Sequence, residues 1–186
     1  MHKSSSIFYR AVFTGGLLVI VLAQVLWQHF NGGIISHHFL HRADMPAISN
    51  AWGIVVLPTL GWILTGFMER RSIATGNDSE IRSSLSLSVI AGFFGALLWG
   101  AALALSFSFG ANHLSEILFK AIIALAILLP IYRSEYVLGF VIAMSFTFGA
   151  VLPLIIAAPF VLISALLHLV LYPLALRLFS RLRARG

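Results

Sequence analysis

Four long runs of this chain contain no lysine, arginine, aspartate or glutamate: Ala11 to Phe30, Met45 to Met68, Ser83 to Ser115 and Tyr136 to Leu176. A helix needs about 20 apolar residues to cross roughly 30 Å of hydrocarbon. The last run is long enough for two crossings. The pattern predicts an all-α integral membrane protein with about six transmembrane helices, over residues 9–28, 50–68, 85–108, 115–132, 136–155 and 159–179, in a single polytopic domain over 1–186. The fourth helix is short and carries Glu116 and Lys120. Without it, Arg133 and the C-terminal arginines would fall on opposite sides of the membrane.

Small residues recur every fourth position along the third predicted helix, at Ser84, Ser88, Gly92, Ala96, Gly100, Ala104 and Ser108. Lipid offers no hydrophobic force between helices, so association depends on close backbone approach, which small-xxx-small rows permit. This helix is therefore expected at the centre of the bundle or at a subunit contact, leaving open a homo-oligomer or a membrane partner subunit. Prolines add interruptions: Pro58 in the second helix, Pro130 near the end of the fourth, Pro153 and Pro159 around the turn between the fifth and sixth, and Pro173 in the sixth. Each interior proline frees a carbonyl one turn earlier.

Charge sets the orientation. Charged residues make up 10% of the chain and hydrophobic ones 60%, against about 25% charged in soluble domains. With six helices, Lys3, Arg10, Arg70, Arg71, Arg82, Arg133, Arg177, Arg181, Arg183 and Arg185 share one side, Arg42 is opposite and Lys120 lies within the membrane. By the positive-inside rule both termini are cytoplasmic, which points to a bacterial-type inner membrane. Lys3 and Arg10 ahead of the first run give it the form of a signal anchor, although Val21-Leu22-Ala23 could serve as a signal-peptidase site. The net charge of +6 follows from this asymmetry and needs no nucleic-acid partner. The basic C-terminus, with Leu178, Phe179 and Leu182 interleaved among Arg177, Arg181 and Arg183, suits anionic lipid headgroups. Cysteine is absent, which removes disulfides and thiolate chemistry.

Chemistry concentrates in the external loop between the first two helices. If Ser36 caps a short interfacial helix, the i, i+4, i+7 spacing puts His37, His41 and Asp44 on one face. Two imidazoles and a carboxylate could hold a divalent ion such as zinc or iron. The fourth helix begins on the same side with His113, Glu116 and Lys120, so these could join the loop in a polar vestibule. Glu116 and Lys120 are an i, i+4 pair, and intramembrane ionisable groups are candidates for proton or solute transport. His168 lies near mid-depth in the sixth helix, one turn from Ser164 and one from Tyr172.

No phosphate loop, nucleophile elbow or nucleotide signature is present. The expectation is a small inner-membrane transport or channel-type protein with an external histidine vestibule, rather than an enzyme. The alternatives are a metal-dependent membrane enzyme or redox protein built on the His/Asp cluster, and a non-catalytic assembly or scaffold subunit.

Overall fold

The computed structural model describes residues 2–38, 44, 46–75 and 87–183. The elements in chain order are α1 (His2–Phe30), β1 (Ser36–His38), β2 (Ala47–Ser49), a 3-10 turn (Asn50–Trp52), α2 (Gly53–Thr75), α3 (Leu87–Ser108), α4 (Asn112–Leu128), α5 (Ser134–Phe148), α6 (Val151–Leu166), a π-helical turn (Leu167–Leu171) and α7 (Tyr172–Arg183). Among the described residues, four helical stretches are long and apolar enough to cross a membrane: Ser6–Phe30, Asn50–Arg71, Leu87–Ser108 and Val151–Arg183. The architecture is that of a helical polytopic membrane protein.

The two shorter helices differ in their surroundings. The 15-residue α5 is the most enclosed element and supplies one residue to each of three buried clusters. Val141 packs with Leu17, Val21 and Val25 of α1 and Leu57 of α2; Met144 with Leu103 and Ala104 of α3 and Ile122 of α4; Leu138 with Met68 of α2 and Val89 of α3. A helix surrounded by protein need not match the bilayer thickness, which accounts for its length. The 17-residue α4 lies at the edge, against α3 and α6.

The closest approach in the bundle is between α3 and α5. A Cβ at Gly139 would overlap the Phe93 carbonyl oxygen, and one at Gly100 would come 3.0 Å from both the Ala143 Cβ and the Phe140 carbonyl oxygen. Glycine is required where backbones meet in this way. The predicted row on α3 advances about 40° per four-residue step at 3.6 residues per turn, so it cannot face one neighbour throughout. Gly92 and Gly100 lie against α5, Ala104 is buried with Met144 and Ile122, and Ser88, Gly92 and Ala96 border a cavity.

Several boundaries differ from expectation: α1 starts at His2 and not 9, α2 runs to Thr75 and not 68, and α4 ends at Leu128 and not 132. The turn between the last two predicted helices lies at Gly149 and Ala150 rather than near 155–159, with Gly149 at a φ of +70°. Asn50 fills the space beside Gly149, where a Cβ would strike its Oδ1. Pro153 therefore falls in the first turn of α6, where its missing N–H costs nothing. The final rod runs from α6 through the π turn into α7. Pro173 cannot donate within a helix and its ring crowds the preceding turn. Immediately before it, the Tyr172 N–H reaches back to the Leu167 carbonyl, widening the helix into a π turn.

Predicted outcomes follow the seam. Gly139→Ala should cost about 1–3 kcal/mol through overpacking, and Gly100→Leu should be at least as damaging. Gly95→Leu should leave stability unchanged, because a Cβ at Gly95 meets nothing within 4 Å. Thermal unfolding of the detergent-purified variants, followed by circular dichroism, checks the contrast; equal losses in all three would contradict it.

Candidate functional site

The helix ends sort polar groups into two layers. At one end, called here the basic end, α1, α2 and α5 are tied by ion pairs. Arg10 Nη2 donates to the Trp62 carbonyl at 2.7 Å, its guanidinium lies 4.3 Å from the centroid of the Trp62 ring, and Nη1 is 3.7 Å from Glu69 Oε2. Gly66 makes room for it, since a Cβ there would come 2.7 Å from Nη2. Arg71 Nη2 donates to Glu135 Oε1 at 2.6 Å. Glu135 is 1% exposed and its Oε2 is buried with no hydrogen-bond partner. Gly92 provides the space for this carboxylate side chain, with its Cγ 3.0 Å from where a Gly92 Cβ would be.

At the opposite end, amides replace charges. Gln24 Nε2 donates to the carbonyls of Ser145 and Phe146, at 3.3 and 3.0 Å, where α5 runs out of intrahelical donors. Buried Gln28 accepts from the Ile35 N–H at 3.2 Å and from Asn50 Nδ2 at 3.3 Å. These bonds hold the hairpin to the bundle, and an open cleft of about 360 Å³ lies beside Gln24, Gln28 and Asn31.

The histidine loop is built differently from expectation. Ser36–His38 is a strand paired antiparallel with Ala47–Ser49, with His37 opposite Ile48, so Ser36 does not cap a helix. In a strand His37 and His38 point to opposite faces, and the His37 ring lies 5.9 Å from that of Phe148. Asp44 is in a turn and exposed, and His41 lies outside the described residues. Among the described residues, no three His, Asp or Glu side chains gather as a metal-binding group.

His113 is exposed at the start of α4. Glu116 accepts from Lys120 at 2.5 Å, and the two side chains are 59% and 70% exposed on the outer face of the bundle. Ser115, on the same helix, instead faces inward and shares a 2.9 Å hydrogen bond with Ser106 of α3.

His168 lies on the last helical rod, in the π turn after α6. With α6 starting at Val151, it lies 17 residues along the rod, about 26 Å from its start, level with the turn between α4 and α5. Its Nδ1 is 2.9 Å from the Ser164 carbonyl, and its ring is 6.2 Å from Tyr132 and 5.0 Å from Tyr172. The polar string around it seals the end of α4. Ser164 Oγ donates to the Leu129 carbonyl at 3.1 Å and Tyr172 Oη to the Ile127 carbonyl at 2.7 Å. Pro130 prevents α4 from continuing, and the last rod supplies donors to the carbonyls left there.

A partly open space lies between α3, α4, α5 and α6. It is a cavity of about 480 Å³ with mainly apolar walls, including Gly95, Ala96, Ile122, Phe140, Ile156 and Phe160. Ser88 and Tyr136 bring hydroxyls to its edge, and Trp99 contributes an indole whose Nε1 is buried without a hydrogen-bond partner. The turn after α4 closes its basic end through Leu129 and Ile131. The wide spacing of these residues in sequence hid the cavity from pattern reading. Glu135 was equally concealed, as one acidic residue beside the apolar run that begins at Tyr136.

No family model, curated protein or solved structure matches the chain.

Arg71→Ala should destabilise the protein by about 3 kcal/mol, because it leaves the Glu135 carboxylate buried without its cation. Adding Glu135→Gln should recover most of that loss. Thermal unfolding of the single and double variants measures both, and a wild-type midpoint for Arg71→Ala would show that the pair does not secure α2 to α5.

Proposed function

We propose that this chain is a single-domain, transport-type protein of a bacterial-like inner membrane, with its basic end in the cytoplasm and its solute site in the cavity between α3 and α6. The cavity is the observation that carries the reading. Its apolar walls favour an apolar or amphiphilic solute over a hydrated ion, because a water or ion path needs repeated polar partners. Gly95 and Ala96 keep the α3 wall of the cavity thin, while the neighbouring contacts of Gly92, Gly100 and Gly139 hold α3 on α5. One helix thus serves both packing and access.

The orientation follows the positive-inside rule. Arg10, Arg70, Arg71 and Arg133 lie together at the basic end, and α7 extends beyond the bundle with Arg177, Arg181 and Arg183 on an exposed helix. Leucines at positions 174, 178 and 182 give that helix an apolar side, so it suits the boundary between acyl chains and anionic headgroups.

Reconstitution into liposomes tests the reading. Wild-type protein should speed the movement of a fluorescent-chain phospholipid between leaflets, followed by quenching of the outer leaflet with dithionite, and Gly95→Leu should abolish the gain by filling the cavity. Movement at the protein-free rate in the wild type would contradict the proposal. Stoichiometric metal in the purified protein, lost in His37→Ala, would instead favour the metal-dependent enzyme.

A further inference from the structure

We infer that the cavity and the turn before α5 together form a site for an amphiphilic anion, with its chain between α3 and α6 and its acidic head on Arg133. The inference rests on the cavity being the solute site and adds the chemical class of the solute.

The first observation is a difference among the arginines. Arg10 and Arg71 each have a carboxylate partner, Glu69 and Glu135. Arg133 is also partly buried, yet among the described residues its side chain has no ion pair or hydrogen bond. Withdrawing a guanidinium from water without an anion is unfavourable, so an acidic group placed beside Arg133 would gain a charge-assisted contact.

The second observation is where Arg133 lies. The segment from Leu129 to Arg133 closes the basic end of the cavity, with Leu129 and Ile131 in its wall, and Tyr136 of the first turn of α5 also borders it. Arg133 does not itself line the cavity, but it follows Ile131 by two residues in the same turn, and we place the head of a bound chain at this turn. The third observation is the start of α5. Arg133 occupies its N-cap position and no side chain caps it, so the N–H groups of its first turn present the positive end of a 15-residue helix. Glu135 lies in that turn, with Oε1 engaged by Arg71, Oε2 buried without a hydrogen-bond partner, and its Cγ packed against the Gly92 side of α3.

The shared chemistry is a long apolar chain ending in an anion, either the carboxylate of a fatty acid or the phosphate of a phospholipid. Equilibrium binding to the purified full-length chain in a neutral detergent tests it, with radiolabelled palmitate, lysophosphatidylglycerol and methyl palmitate as probes. Palmitate or lysophosphatidylglycerol should bind at least about tenfold more tightly than the neutral ester; the tighter of the two identifies the head. Arg133→Gln should remove that preference, Arg133→Lys should keep part of it, and Gly95→Leu should abolish binding of all three. An unchanged elution volume on size exclusion shows that each variant is folded. Equal affinity for the ester and the anions would overturn the assignment of Arg133 while leaving the cavity as an apolar site. No saturable binding of any probe would overturn both.

Discussion

The bundle depends on the absence of two β-carbons. Gly139 lets α5 sit directly on the Phe93 carbonyl, and Gly100 does the same for α3 against Phe140 and Ala143. In a bilayer, burying an apolar side chain against protein in place of lipid gains little, so close backbone contact and dispersion determine which helices touch. Once α3 and α5 meet at that distance, α5 is enclosed and its remaining faces receive α1, α2 and α6. The same row of small residues meets α5 at Gly92 and Gly100 and borders the cavity at Ser88, Gly92 and Ala96, so the seam and the cavity share this side of α3.

Polar groups then lock the ends of this arrangement. At the basic end Arg71 reaches from α2 to Glu135 on α5, and Arg10 reaches from α1 to Trp62 and Glu69 on α2. At the other end Gln24 and Gln28 of α1 bond to the end of α5, the hairpin and Asn50. The edge helix α4 is held by Ser164 and Tyr172 of the last rod, which take up its terminal carbonyls. Apart from the bond between Gln28 and Ile35, these contacts join segments more than 20 residues apart, and each satisfies a group that lipid would leave without a partner.

Sequence patterns show the helices well and their neighbours poorly, for a physical reason. Hydropathy separates membrane from water, but the interior of a membrane protein and the lipid around it are equally apolar. The run from Tyr136 to Leu176 therefore reads as two helices without revealing that the first is short, central and ends at Gly149. The four-residue row on α3 was legible because glycine and alanine mark close approach directly. The i, i+4, i+7 reading of the histidine loop failed at its first residues because the β-branched Ile48 and its neighbours offer Ser36–His38 a strand partner, a long-range pairing that helical spacing does not reveal. Glu135 left no periodic signal at all, since its partner lies on another helix.

The central claim is that α3 and α5 form their seam within one chain. Because the sequence contains no cysteine, a pair can be introduced cleanly at Ala104→Cys and Met144→Cys, two positions that share a buried cluster. Mild oxidation in native membranes should give an intramolecular disulfide, seen as a faster-migrating monomer that reverts on reduction. Disulfide-linked dimers in place of that monomer, or no cross-link, would contradict the account.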